Sequence, residues 1–143
     1  MKVHEHFILG AVISAIMIAA GIGIESALAF LAASFLIDID HLIGYALKFK
    51  SIDWKKAKKQ FEGHELAEVP ILKAFHSVEF LVFTLVLSLL GTAWFFLFLG
   101  VGLHLAIDFV QQQFFCPEQI RKKGKRSWSI VLFFLKYGRS GAE

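Results

Sequence analysis

Residues 94–110 form an apolar run broken by only two ionisable side chains, His104 and Asp108, four residues apart. At helical pitch the two stand one turn apart on the same face, which is how a helix offers two ligands to one metal ion or one metal pair. An imidazole and a carboxylate inside a core or lipid-facing segment are costly unless they are paired or ligating, so the rest of the chain must fold to satisfy them. A buried His–Asp hydrogen bond that only tightens a helix bundle would explain one such pair. It explains a fourfold recurrence less well.

Three further clusters border apolar segments. His4 and His6 precede residues 7–24, a stretch that is apolar except for Ser14 and just long enough for a membrane helix. A signal peptide is the competing reading, with Ala27-Leu28-Ala29 as its small-residue cleavage site. The length of the run and the acidic Glu5 ahead of it favour a retained helix. Gly21 and Gly23 then end that helix, and Ser26 is placed to cap the next. Residues 27–37 are apolar and meet Asp38-Ile39-Asp40-His41, after which residues 42–49 complete the helix. Asp38 and His41 share a helical face, whereas Asp40 points elsewhere unless the helix opens there. Solvated acids at the end of a span are the plainer explanation, but two acids and a histidine exceed what a span needs to stop. His76 stands before a third apolar segment, residues 78–90, with Glu79 in its first turn. Gly91-Thr92 reverses the chain, with Thr92 as the expected cap, and the fourth helix carries His104 and Asp108.

With 57% hydrophobic residues and 16 phenylalanines in 143, an ordinary soluble domain is a poor fit. We read one membrane-embedded helical domain, residues 1–143. It is an all-α bundle of four main helices, with a short interfacial helix in the 48–73 connector and a short apolar helix near the C-terminus, where residues 128–135 are too few to span. The single cysteine, Cys116, excludes an intramolecular disulfide framework. In the connector Trp54, Ala57 and Phe61 fall on one helical side and Lys55, Lys56, Lys58 and Lys59 on the other, the pattern of a helix lying among anionic lipid headgroups. A nucleic-acid patch is the alternative use of such lysines. The neighbouring spans make lipid the nearer polyanion, and no nucleic-acid partner is expected.

Folding the segments back and forth brings every cluster to one end. His4 and His6 open the first helix on side one, the turn at residues 21–26 lies on side two, and the second helix returns with Asp38, Asp40 and His41. His76 opens the third helix, residues 91–92 turn on side two, and the fourth brings His104 and Asp108 back. Asp38 lies 12 residues past Ser26, His104 12 past Thr92, and His76 15 before Gly91. At about 1.5 Å per residue these are similar heights, roughly 18–22 Å. Neither side-two turn carries Lys or Arg, while Lys2, the connector and the basic residues 121–126 fall on side one. The positive-inside tendency then predicts a multi-pass membrane protein with both termini and the clusters facing the cytoplasm.

Imidazole nitrogen mixed with carboxylate oxygen suits zinc, manganese or iron better than magnesium, and the lack of a thiolate set disfavours a structural zinc site. Eight candidate ligands, His4, His6, Asp38, Asp40, His41, His76, His104 and Asp108, are too many for one closed tetrahedral ion. They suit two divalent ions, bridged by a carboxylate and a water that attacks a phosphoester. Asp38 and Asp40 are the candidate catalytic carboxylates, as general base or to orient ligand imidazoles.

An N-terminal histidine, Asp-Ile-Asp-His at 38–41, His-Ser at 76–77 and His-x-x-x-Asp at 104–108 together resemble the YdjM-like family of bacterial inner-membrane proteins, described as membrane-bound metal-dependent hydrolases. That family is thought similar to the zinc-dependent phospholipase C and single-strand nuclease superfamily, which implies a helical fold around a multi-zinc site. The resemblance covers about residues 4–110. Two positions depart from the family pattern. Ile37 stands where a proline precedes the Asp-x-Asp-His, and Lys73-Ala74-Phe75 stands where His-Arg-Gly precedes the His-Ser, with His64 further upstream. Lys73 could meet a substrate phosphate only as a point charge, not with an arginine's two-pronged grip. The expected function is a membrane-bound metal-dependent hydrolase of a phosphoester, with a lipid portion on the substrate because the site opens near the headgroups. The alternative is a non-catalytic metal-binding membrane protein such as a scaffold, a sensor or a transport subunit.

Overall fold

The computed structural model describes residues 3–50, 53, 55–56, 74–114 and 129–137. Every regular element among them is helical: α1 (Val3–Ala19), α2 (Ile24–Leu36), α3 (Ile39–Phe49), α4 (Val78–Leu87) continued by a 3-10 turn (Ser88–Leu90), α5 (Thr92–Phe114) and α6 (Ile130–Tyr137). Most of the connector lies outside the described residues, including Lys58, Lys59, His64 and Lys73, as do residues 121–126. In its described part Asp53 accepts hydrogen bonds from the backbone N–H groups of Lys55 and Lys56, each at 3.1 Å. The Lys56 N–H foremost, with the Lys56 ammonium 3.5 Å away, these donors hold the Asp53 carboxyl below its ordinary value.

Gly21 ends α1, in a left-handed conformation (φ 86°) that glycine enters without steric cost. The Gly21 N–H donates to the Ile18 carbonyl and the Ile22 N–H to the Met17 carbonyl, both at 3.0 Å, the paired bonds that close a helix whose chain swings left-handed. Ile22 then packs against Met17, Ala27 and Phe30. The expected cap of α2 is corrected: Gly23 holds the N-cap position, and Ser26 is buried within the first turn. The extended Gly23 backbone already presents its carbonyl to the Ser26 and Ala27 N–H groups. At α5 the Gly91 carbonyl accepts the Phe95 N–H at 3.0 Å, so the helix begins at Thr92 rather than being capped by it.

The helix expected from 27 to 49 is two helices. Residues 37–38 form a turn between α2 and α3, which bend by 41°. Here the Asp38, Asp40 and His41 N–H groups donate to the Phe35, Ile37 and Asp38 carbonyls at 3.3, 3.4 and 3.1 Å, three-residue bonds that tighten the chain locally. This is the opening on which the direction of Asp40 depends.

α2 lies against both α1 and α5, and α4 packs on α5. Small residues set these approaches. A Cβ added to Gly10 would stand 2.0 Å from Ser34 Oγ, and one on Gly100 would stand 2.5 Å from the Phe30 carbonyl oxygen. Ser14 Oγ ties α1 to α2 by donating to the Ala27 carbonyl at 3.0 Å. Two apolar clusters flank the helix contacts: Met17, Ala27 and Phe30 in one, Ile37, Val101 and Leu105 in the other. Among the described residues Tyr45 is buried as well, and the buried polar side chains are His6, Ser14, Ser26, Ser34, Asp40, His76, Ser77, Thr84 and His104. Large apolar side chains face outward on every helix, among them Ile16, Leu28, Ile43, Val82, Phe95 and Leu132.

Among the described residues Thr92–Gln111 is the one helix long and apolar enough to cross a bilayer by itself. Ile24–Leu36 and Ile39–Leu47 meet the criterion only together, across their bend, while His4–Ala19 and Val78–Leu90 are apolar but shorter. The Gly21 turn is what shortens the expected first span.

Candidate metal centre

Four segments deliver the polar clusters to one place. α1 contributes His6, the α2–α3 break with the first turn of α3 Asp38, Asp40 and His41, the turn before α4 His76, and α5 both His104 and Asp108. Ser77 fixes the entry of α4, its Oγ accepting the Phe80 N–H at 3.1 Å, and so sets the position of His76 just before it.

At the centre His76 Nε2 and His104 Nε2 face each other at 3.1 Å. Asp38 Oδ1 lies 3.3 Å from the first and 3.5 Å from the second, and Asp108 Oδ2 lies 3.6 and 3.9 Å from them. The other ring nitrogens are engaged: His76 Nδ1 is 3.0 Å from Asp40 Oδ2, and His104 Nδ1 is 2.8 Å from the Ser34 carbonyl oxygen. A carbonyl can only accept, and an ionised carboxylate likewise, so each Nδ1 carries a proton, and in the neutral form of either ring the Nε2 lone pair turns inward. With both rings neutral, two lone pairs and two carboxylate oxygens converge with no donor among them, an arrangement that a cation, whether a metal ion or a proton, resolves.

The spacing suits one as well. A tetrahedral ion with bonds of about 2.0–2.1 Å holds its donors roughly 3.3–3.4 Å apart; the two imidazole nitrogens are 3.1 Å apart and the four imidazole–carboxylate distances run from 3.3 to 3.9 Å. Asp38 Oδ2 is in addition buried without a hydrogen-bond partner, a second acceptor in want of positive charge. Around this centre His6 Nε2 lies 3.2 Å from Asp108 Oδ1, its ring stacked on that of His104 with centroids 4.0 Å apart. His41 Nδ1 lies 2.6 Å from Asp40 Oδ1 and 3.9 Å from Asp38 Oδ1. Two adjacent groups that could hold a metal ion result, His6-His104-Asp108 and Asp38-His41-His76, each with its ligand atoms within 4.8 Å of one another.

The structure places His6, Asp38, Asp40, His41, His76, His104 and Asp108 together. His4 is exposed: two residues along a helix is about 200° of rotation, so α1 can turn only one of its two histidines inward. Asp40 joins the cluster without facing the converging lone pairs. Its Oδ1 takes His41, and its Oδ2 takes both His76 and the Phe75 N–H, the latter at 3.0 Å. Glu79 is directed elsewhere, accepting hydrogen bonds from Ser129 Oγ and from the Ile130 and Val131 N–H groups. The Ser34 carbonyl and Phe75 N–H escaped the sequence reading because backbone groups carry no residue-type signature. Ser77 was legible, as a serine directly ahead of an apolar helical run.

No family model, curated protein or solved structure matches the chain.

Proposed function

We propose that this chain is an integral protein of the bacterial inner membrane whose four main helices hold two divalent ions, zinc foremost, and hydrolyse a phosphoester with a lipid portion at the cytoplasmic side. The observation that carries this reading is the pair of adjacent His/Asp groups, with Asp38 and Asp108 each reaching both facing imidazoles in the position of bridging carboxylates. Bound there, divalent ions supply a water of lowered pKa and a positive clamp on phosphoryl oxygens. The protein's own groups do the rest. Asp40 and the Ser34 carbonyl fix the tautomers of His76 and His104, and Asp38 Oδ2, buried and without a partner, is the base placed to hold a proton.

The membrane part of the reading is supported by the inverted distribution of polarity, serines and histidines inside and large apolar side chains outside. In lipid, polar groups must be satisfied within the protein, and small residues take over the task of bringing helices together. α1, at 17 residues, is about 26 Å long, a few Å short of a ~30 Å hydrocarbon core. Local thinning of the bilayer accommodates such a mismatch at modest cost. On this reading the run of Lys55, Lys56, Lys58 and Lys59 in the sequence supplies cations for anionic headgroups.

A second reading, a metal-binding membrane protein without catalysis, is favoured by one specific observation. The tetrad of His76, His104, Asp38 and Asp108 would close around a single ion, and closed sites are structural where catalytic ones keep a position open. Elemental analysis of detergent-purified protein separates the two. Near two equivalents of one transition metal, lost in His104→Ala and Asp108→Ala, supports the hydrolase and calls for a screen of lipid phosphoesters. One equivalent with no turnover supports the second reading. No bound metal after reconstitution with zinc or manganese overturns both.

A further inference from the structure

We infer that α6 is an interfacial anchor, clamped by Glu79 to the metal-bearing end of α4 and lying on an anionic bilayer surface; the inference rests on the membrane reading above. Glu79 sits three residues past His76, in the first turn of α4. Its carboxylate accepts from Ser129 Oγ, from the Ile130 N–H at 3.1 Å and from the Val131 N–H at 3.4 Å. Ser129 Oγ in turn accepts the Leu132 N–H at 3.2 Å. The first three N–H donors of α6, which no helix can satisfy internally, are therefore met, and a carboxylate supplied by another helix sits at the positive end of the helix dipole. A helix of eight residues is marginal in isolation. Here it is started at a fixed place, beside the turn that carries His76.

At about 12 Å, α6 is far too short to cross a bilayer. Val131, Leu132 and Leu135 are 58%, 60% and 67% exposed and fall within about 100° of the helix circumference. Basic residues bracket this apolar face in the sequence: Arg121, Lys122, Lys123, Lys125 and Arg126 before it, Lys136 and Arg139 after it, with no Asp or Glu anywhere in 119–142. A short apolar face between cations, started at a fixed point on an apolar-surfaced bundle, has the chemistry of a helix seated at the boundary of anionic headgroups and acyl chains.

The test uses the full chain in nanodiscs of phosphatidylglycerol or phosphatidylcholine, with nitroxide labels placed singly at Leu132, Val82 or Glu25 in a Cys116→Ser background. Accessibility to oxygen against a nickel chelate reads depth. The expected result in phosphatidylglycerol is a Val82 label deep in the acyl region and a Leu132 label at its boundary, with an oxygen-to-nickel ratio about fivefold above that at Glu25. Glu79→Ala should bring the Leu132 ratio to within about twofold of Glu25, with Glu79→Gln intermediate because one acceptor oxygen remains. Metal content should be unchanged in both variants. A Leu132 label as wet as Glu25 in both lipids, with Val82 deep, overturns the anchor and leaves the membrane reading standing. Spin–spin broadening between Leu132 labels overturns it in favour of a second copy of the chain. A wet Val82 label overturns both readings together.

Discussion

Asp40 illustrates how much one carboxylate can do without touching the centre it serves. It takes His41, His76 and the Phe75 N–H at once, and an amide in its place offers one oxygen and one NH2 to three donors. In Asp40→Asn at least one imidazole loses the partner that turns its lone pair inward, so zinc affinity should fall about 10- to 100-fold while the chain still folds. A zinc titration against a competing chelator measures this; a loss as complete as that of His104→Ala would make Asp40 a direct donor instead. The two N-terminal histidines should separate as cleanly. His6→Ala removes a buried ring stacked on His104 and should weaken metal loading, whereas His4→Ala, on the exposed side, should leave it unchanged in the same titration. The residues that meet at the centre were legible as candidates because each stands out in an apolar context. Which of Asp38 and Asp40 faces the lone pairs was not, because that follows from a backbone turn rather than from a residue.

At the scale of elements, the ends marked by glycine were easy to read and the break at 37–38 was not: Ile37 is an ordinary helix residue, and Asp38, although of a type that favours N-caps and in fact the N-cap of α3, makes no side-chain cap bond. The closeness of the helices was also hidden, although the sequence displays the glycines that permit it. Gly100 faces the Phe30 backbone, which cannot swing aside, while Gly10 faces chiefly the Ser34 side chain, whose hydroxyl can rotate. Gly100→Ala should therefore destabilise the protein by about 1–3 kcal/mol, and Gly10→Ala by less. Thermal unfolding in detergent gives the order, and the reverse order would mean that α1, not α5, is the tighter neighbour of α2. Gly100→Ala should carry a second effect. It pushes α5 from α2 one turn before His104, whose Nδ1 reaches across that same contact to the Ser34 carbonyl, so zinc affinity should fall together with stability.

For the whole molecule, the solvent decides what the arrangement of polarity means. In water the exposed face of Val82 would tolerate lysine within about 0.5 kcal/mol, as most surface positions do. In lipid the same change at mid-helix costs roughly 2.5–3.5 kcal/mol. Val82→Lys should therefore cut the yield of membrane-integrated protein well below that of Glu25→Lys, and equal yields of folded, carbonate-extractable protein would place the bundle in water. The same reasoning bears on the centre. A low-dielectric surround strengthens the mutual repulsion of two carboxylates and two inward lone pairs, so, on the reading proposed above, a cation bound there should stabilise the fold. An ion present at a thousandfold excess over its dissociation constant stabilises the folded state by about 4 kcal/mol. Stripping metal with a chelator should accordingly lower the melting temperature of the wild type by several degrees, with zinc restoring it, and should leave His104→Ala nearly unmoved because that variant has little bound ion to lose. A wild type whose melting temperature ignored the chelator would mean that protons alone hold the four acceptors together.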